Sequence, residues 1–252
     1  MKRLRRLLSR RRARDAEQAF VLEGTTIVDE ALDAGIELEA VFVTAGAAES
    51  TLDRAAAAGV AVRELAPGVI ERVADTVTPQ PVLAVARYLD APLEIVQDVT
   101  LAVVCVGVSD PGNAGTLLRS AEAAGVGAVV CCDGSVDVYN PKTVRASAGA
   151  LFHVPVVAGG DAVAVLDRIG GWGLRRLGAA PSGGDDYTNV DLAGPTAFVV
   201  GNEAHGLPPA LGRSLDGHVT IPMAGRAESL NVGTATAILC FEAARQRREP
   251  RP

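Results

Sequence analysis

The feature that most constrains the fold is a nearly continuous apolar segment, Leu101–Val108. A strand that is apolar at consecutive positions buries both of its faces, which is typical of the inner strands of a parallel sheet. Further strand candidates follow at 128–132, 173–179, 197–200 and 218–221, with helical patterns between them. This alternation predicts an α/β domain built on a mainly parallel sheet.

A smaller α/β pattern precedes this domain. Short strand and helix patterns alternate from residue 19 to residue 87, and a stretch of mixed polarity that contains Pro92 comes after them. Such a stretch is a candidate linker. The sequence therefore predicts a basic arm at 1–18, a small α/β domain at 19–88, a linker at 89–98 and a larger α/β domain at 99–252.

Charge is distributed unevenly along the chain. The net charge is −6, yet residues 1–20 hold eight basic and two acidic side chains, a local charge of +6. The remaining 232 residues then carry −12. A basic segment on an acidic body can guide a polyanion to the protein. An amphipathic helix that merely faces solvent is an equally good interpretation.

Composition and cysteine spacing argue against several classes of protein. No apolar segment approaches the roughly 20 residues of a transmembrane helix, and no signal-peptide pattern follows the basic start. The four cysteines form no C-x-x-C pair and have no histidine at ligand spacing. We therefore expect a cytoplasmic protein with buried cysteines, no membrane anchor and no metal site.

Three polar, glycine-containing loops follow predicted strands of the larger domain. The first is 109–115, which leads into a helix, the second is 200–208, and the third is 221–232. In open α/β sheets, ligands bind at the carboxyl ends of the strands, where such loops meet. The first loop matches neither a Walker A nor a G-x-G-x-x-G motif, which disfavours an ordinary nucleotide site.

Individual side chains in these loops suggest roles. Arg119, about one turn into the first helix, offers a planar fork to a phosphate or a carboxylate. Glu203 can either pair with Arg119 or accept hydrogen bonds from loop amides. His205 fits a general base, although a lone histidine in a loop is more often structural. Ser229 is a favourable N-cap for the long alanine-rich helix that follows it.

In their order and spacing, the three loops resemble the signature motifs of the SpoU/TrmH family. These are S-adenosylmethionine-dependent RNA 2′-O-ribose methyltransferases of the SPOUT superfamily. The motif residues are Asp110-Pro-Gly-Asn113-x-Gly115-x3-Arg119, Gly201-Asn-Glu203-x2-Gly-Leu and Ile221-Pro-Met-x-Gly-x2-Glu228-Ser-Leu-Asn231-Val. The segment 139–149 resembles the family sequence between the first two motifs. Parts of 22–32 and 78–85 resemble its substrate-binding domain.

The resemblance implies a particular fold and donor site. The larger domain would be a SPOUT domain with a deep trefoil knot around its sheet, an exception to the rule against threaded chains. The small domain would bind the RNA substrate. Main-chain groups and apolar side chains would hold S-adenosylmethionine, with Gly201, Ile221, Met223 and Leu230 as the donor-binding residues.

The resemblance also places the catalytic residues. Arg119, Ser229 and Asn231 match the family's catalytic positions, with Glu203 in a supporting role and Asn113 completing the hydrogen bonds. A guanidinium essentially never loses its proton. We therefore expect Arg119 to orient a phosphate and stabilise the developing alkoxide rather than to act as a base.

Family membership implies a homodimer and a ribosomal or transfer RNA substrate. The two-domain pattern favours 23S rRNA over tRNA. Two other interpretations stay open: a non-catalytic RNA-binding or ribosome-assembly protein on the same scaffold, and a non-RNA enzyme on an ordinary doubly wound sheet. The intact catalytic set argues against the first of these, and the ordered motifs argue against the second.

Overall fold

The computed structural model describes residues 1–44, 46–73 and 79–248. The chain divides into two compact units, one formed by Met1–Leu89 and Tyr139–His153, the other by Asp90–Val138 and Val154–Pro252. Residue 78, in the N-terminal resemblance, and residues 249–252, at the end of the predicted larger domain, lie outside the described residues.

The first unit is built on a mixed sheet with the strand order β1-β4-β2-β3 among its described residues. Strand β4 runs antiparallel to β1 and β2, whereas β2 and β3 are parallel. Its elements lie close to where the sequence pattern predicts them. They are β1 (Ala19–Glu23), α3 (Thr25–Asp33), β2 (Leu38–Thr44), α4 (Glu49–Ala57), β3 (Ala61–Leu65), α5 (Val69–Val73) and β4 (Val82–Arg87).

Two helices, α1 (Lys2–Ser9) and α2 (Arg11–Glu17), precede this sheet. The sequence predicted a basic arm at 1–18 apart from the small domain, but these residues belong to the first unit. The reason is the apolar face of α1, whose Leu4, Leu7 and Leu8 are 2%, 0% and 7% exposed and pack in one cluster with residues of β1 and β4.

Residues 139–153 also belong to the first unit, although the sequence placed them in the larger domain. They contain α7 (Pro141–Ser147). The ring of Tyr139 stacks on Tyr88 at a centroid distance of 3.9 Å, and Arg145 Nη1 donates to Glu23 Oε2 over 2.8 Å. The chain thus leaves the second unit and returns to it, which no local pattern reveals.

The second unit contains a sheet with the order β7-β6-β5-β10-β8-β11-β9, and all six pairings between these strands are parallel. This confirms the predicted mainly parallel sheet. The very short β7 and β9 were not predicted. The strands are β5 (Leu101–Cys105), β6 (Ala128–Cys131), β7 (Val156–Ala158), β8 (Arg175–Ala179), β9 (Asp185–Asp186), β10 (Thr196–Val200) and β11 (Gly217–Thr220).

The helices of this unit are α6 (Pro111–Ala123), α8 (Ala162–Gly171) and α9 (Val232–Arg248). The start of α9 lies against α6, since a Cβ added at Gly233 would approach Thr116 Cβ to 3.0 Å. In the predicted linker, Leu93–Asp98 form a 3₁₀ turn with Val96 buried. The four cysteines are buried, as expected. Among the helices described, none has the length and apolar character to cross a bilayer.

Candidate functional site

The loops that follow β5, β10 and β11 are the three loops that the sequence singled out. Strands β5 and β10 are adjacent and parallel, so their loops leave the sheet side by side. Strand β11 is separated from β10 by β8. The third loop leads into α9, and the contact of α9 with α6 keeps the end of this loop near the first loop.

Glu203 ties the second loop to the first. Its carboxylate accepts hydrogen bonds from the backbone N–H groups of Ser109 and Asp110, each over 3.1 Å. The Ser109 hydroxyl and Asn113 Nδ2 also donate to it, over 2.9 and 3.0 Å. The sequence allowed Glu203 either to pair with Arg119 or to accept hydrogen bonds from loop amides, and the structure contains the hydrogen bonds from loop amides.

These contacts keep Glu203 ionised. Burial raises its pKa, but the hydrogen bonds from Asn113 and from backbone N–H groups outweigh burial and lower the pKa to about 2. An ionised carboxylate only accepts hydrogen bonds. Asn113 must therefore point its Nδ2 group toward Glu203, so its Oδ1 points away from Glu203 and is free to accept another hydrogen bond.

Asn113 connects all three loops. Its Nδ2 donates to Glu203, and its Oδ1 accepts from Asn231 Nδ2 over 2.5 Å. Asn231 Oδ1 in turn accepts from the N–H groups of Gly233 and Thr234, over 2.9 and 3.4 Å. Every amide in this chain of contacts therefore has a fixed orientation, from the carboxylate to the first turn of α9.

The prediction that Ser229 caps the last helix is wrong. Helix α9 begins at Val232, and Asn231 Oδ1 accepts hydrogen bonds from the free N–H groups of its first turn. Ser229 precedes the helix by too many residues to be its N-cap. Its side chain is exposed, and among the described residues it has no hydrogen-bond partner. The hydroxyl is thus available to a ligand.

A cavity of about 670 Å³ opens beside this network. Its size is in the range of roughly 300–1,000 Å³ that is typical of small-molecule sites. It brings together all the predicted donor-binding residues and most of the predicted catalytic ones. These lining residues are Gly201, Ile221, Met223, Leu230, Asn113, Glu203, Ser229 and Asn231.

The second loop lines this cavity and is held in a tight turn. Asn202 and Gly206 exchange backbone hydrogen bonds of 3.0 and 2.9 Å. A Cβ at Gly201 would lie 2.3 Å from the carbonyl carbon of Gly206, so the loop leaves no room for a side chain there. Backbone groups beside apolar side chains suit a flat, amphipathic ring such as adenine. The residues present therefore fit S-adenosylmethionine.

Arg119 and His205 differ from the other candidates. Arg119 is exposed on α6 and does not line the cavity, and it has no hydrogen bond or ion pair within the described part of the chain. His205 lines the cavity and is exposed. In the described ranges, no group of three or more His, Cys, Asp or Glu side chains is arranged to hold a metal ion.

Two residues that hold the site together had no role assigned from the sequence. Ser109 gives both its N–H and its hydroxyl to Glu203. Asn202 Nδ2 donates to the Gly107 carbonyl over 2.9 Å, and its Oδ1 accepts from two N–H groups of its own loop. Their only sequence signal is their position beside Asp110 and Gly201 in the loops.

Comparison with known proteins identifies the family. Residues 100–241 match the SpoU rRNA Methylase family, and residues 1–84 match the MRM3-like substrate binding domain. The chain belongs to the SpoU rRNA methylase family. The Bacillus subtilis 23S rRNA (guanosine(2553)-2′-O)-methyltransferase RlmP is 34% identical to it over 93% of this chain and 92% of its own length.

Solved structures of this family agree with the fold. The AdoMet-bound rRNA methyltransferase from Sinorhizobium meliloti has a TM-score of 0.85 at 31% identity, covering 97% of this chain and 93% of its own. The SpoU methyltransferase AviRb from Streptomyces viridochromogenes, also with AdoMet, has a TM-score of 0.86 at 29% identity, covering 98% and 97%. The family predicted from the three loops is confirmed, and so is its methyl donor.

Proposed function

We propose that this SpoU-family chain methylates a ribose 2′-hydroxyl of 23S rRNA with S-adenosylmethionine as the donor. The observation that carries the proposal is the hydrogen-bonded network of Glu203, Asn113 and Asn231 on the wall of a cavity that fits the donor. The Bacillus subtilis relative, which aligns over 93% of this chain, is named a 23S rRNA methyltransferase, which favours rRNA over tRNA.

S-Adenosylmethionine supplies an electrophilic sulfonium methyl group when it is bound. Gly201, Ile221, Met223 and Leu230 would hold it, since all four line the cavity. The crowding of Gly201 against Gly206 fixes the main chain of the second loop. The binding energy would come from backbone hydrogen bonds and apolar contact rather than from charged side chains.

Asn231 and Ser229 would orient the ribose hydroxyl. Asn231 Oδ1 is occupied by the first turn of α9, and one Nδ2 hydrogen is given to Asn113. Asn231 can then offer only its second Nδ2 hydrogen, so it acts as a donor to the ribose O2′ and not as a base. The free hydroxyl of Ser229 can accept the O2′ hydrogen and align the lone pair for in-line attack.

Arg119 would bind a phosphate next to the reacting ribose. Its exposed side chain has no hydrogen bond or ion pair within the described residues, and the planar fork of a guanidinium suits a phosphate. In this position it would reduce the cost of negative charge developing on O2′. Ser229 Oγ would take over the proton of the ribose hydroxyl while its own hydroxyl proton passes to water, which can reach this exposed side chain.

The same proposal includes a trefoil knot, a homodimer and a cytoplasmic location. The knot is supported by the strand order, with β11 between β8 and β9, and by the return of α9 to α6. The dimer rests on family resemblance. Sedimentation that gives a monomer at micromolar concentration would contradict the dimer.

Methyl transfer from labelled donor to 23S rRNA and to tRNA, with mapping of the modified ribose, tests the function. Label at a single 2′-O position of 23S rRNA is the expected result. Label in tRNA alone would support the tRNA alternative. Donor binding without transfer to either RNA would support a non-catalytic RNA-binding or ribosome-assembly protein.

A further inference from the structure

The basic side chains of α1, of α2 and of Arg10 between them separate into two groups. One group is engaged inside the first unit: Arg3 contacts Glu17 and Glu39, and Arg6 contacts Glu17, over 2.5–2.7 Å. Arg14 is buried and donates to the Leu7 carbonyl over 2.6 Å. Arg11 lies 3.7 Å from Asp15. These four cations are engaged by groups of the first unit.

The other group is directed to solvent. Its members are exposed and have no hydrogen bond or ion pair in the described part of the chain, and they are Lys2, Arg5, Arg10 and Arg12. All four lie within residues 2–12. On α1 the i, i+3 spacing of Lys2 and Arg5 puts both on the face opposite the buried leucines.

This group is carried on a fixed support. Leu4, Leu7 and Leu8 are buried in the cluster that contains Val21 and Val85. A cation on a packed helix loses less conformational entropy on binding than one on a disordered arm, so more of its binding energy is retained. Several fixed cations in a row suit a partner that carries negative charges at regular intervals along a chain.

We propose that four exposed cations, Lys2 and Arg5 on α1, Arg12 on α2 and Arg10 between the two helices, bind the phosphate backbone of the RNA substrate. The inference rests on the proposed function and assigns the surface that holds its substrate. Residues 21–252 carry −12, so this +6 segment is where a polyanion is attracted rather than repelled.

An anionic lipid surface is the other polyanion to consider, and the structure disfavours it. Amphipathic helices bind membranes by inserting their apolar face between lipids. The apolar face of α1 is already buried in the core of the first unit. Only the charged face remains exposed, which fits contacts to phosphates without insertion.

Neutral variants test this surface. Lys2→Gln/Arg5→Gln, Arg10→Gln/Arg12→Gln and the combined quadruple variant keep helix-forming side chains and remove only charge. The matched control is Arg63→Gln/Arg213→Gln, two exposed arginines without partners among the described residues. The full chain is titrated onto transcribed 23S rRNA at several salt concentrations, together with thermal unfolding and calorimetry of S-adenosylmethionine.

The quadruple variant is expected to bind RNA on the order of 100-fold more weakly and to lose about 3 from the slope of log K against log salt. In methylation assays the quadruple variant should show a higher KM for RNA, while its affinity for the donor and its unfolding temperature stay the same. Each double variant should lose about half of the slope. The control should match the wild type.

A quadruple variant with the wild-type salt slope and KM would overturn the proposal, as would an equal loss in the control. Binding of the wild type to phosphatidylserine vesicles that the quadruple variant loses, with RNA affinity unchanged, would assign the surface to lipid. If the wild type methylates rRNA but the quadruple variant is unaffected, only the surface assignment fails. If the wild type methylates no RNA, the proposed function fails.

Discussion

Glu203 is the most informative position to change, because one carboxylate accepts four hydrogen-bond donors from the first loop. Its Oε1 accepts from Asn113 Nδ2 and the Asp110 N–H, and its Oε2 accepts from the Ser109 hydroxyl. In Glu203→Gln the amide nitrogen is expected to face Ser109, whose hydroxyl can rotate and accept, while the Ser109 N–H keeps only its longer contact, of 3.3 Å, with the remaining oxygen. Asn113 Nδ2 would then still donate to the side-chain oxygen at position 203, but this acceptor would no longer be charged.

The size of the effect follows from the pKa. A pKa lowered from 4.5 to about 2 corresponds to about 3.4 kcal/mol, at about 1.36 kcal/mol for each tenfold change in proton affinity. Because Glu203 is exposed, solvent screening reduces this to about 1–2 kcal/mol of stability. The pKa is lowered, so this stabilisation is complete above pH 4.5 and is lost as the pH falls toward 2.

The assay combines urea unfolding with steady-state methylation and donor calorimetry. Glu203→Gln should lose about 1–2 kcal/mol of unfolding free energy at pH 7 and about tenfold in kcat, with the donor Kd changed less than threefold. Glu203→Ala, which leaves all four donors without an acceptor, should lose on the order of 100-fold in kcat.

Glu122→Gln is the matched control, since Glu122 is an exposed carboxylate on α6. It should behave as the wild type in every measurement. A Glu203→Gln variant that is indistinguishable from this control would contradict the anchoring role of Glu203. A loss that appears entirely in donor affinity would also contradict it, because the network is inferred to orient the ribose and not the donor.

Four further positions separate the roles within the site. Arg119→Ala should abolish methyl transfer while calorimetry still detects the donor, and an equal loss of donor affinity would disprove that division. Asn231→Ala should lower the unfolding free energy by about 1 kcal/mol, as removal of an N-cap does. Ser229→Ala should reduce kcat by on the order of 10-fold with unfolding unchanged, and a matching loss of stability would restore its role as a cap. Gly201→Ala should eliminate donor binding, since its Cβ would meet Gly206 at 2.3 Å, and unchanged calorimetry would refute this.

Local patterns were enough to locate most elements of the fold. The apolar segment at Leu101–Val108 predicted β5 because a strand covered on both faces must be apolar at consecutive positions. Strands β7 (Val156–Ala158) and β9 (Asp185–Asp186) escaped prediction because three and two residues are too few to show a period. The start of α9 was also misjudged, since serine and asparagine are nearly equal as N-caps and both precede the helix.

The assignment of segments to units could not be read in the same way. Leucines at three positions of α1 predict an amphipathic helix, but the surface that covers them belongs to β1 and β4. Residues 139–153 join the first unit through Leu89, Glu23 and Glu30, contacts made across 50 to 123 residues of chain. Such contacts depend on tertiary packing and leave no mark on local periodicity.

The order of the three loops along the chain was enough to identify the family. How the loop residues are joined depends on the packing of strands and helices. Asn113 meets Glu203 across 90 residues and Asn231 across 118 residues of chain, because β10 lies beside β5 and α9 returns to α6. A hydrogen bond needs its two atoms within about 3 Å. Strand order and helix packing bring these atoms together, and no local pattern encodes either one.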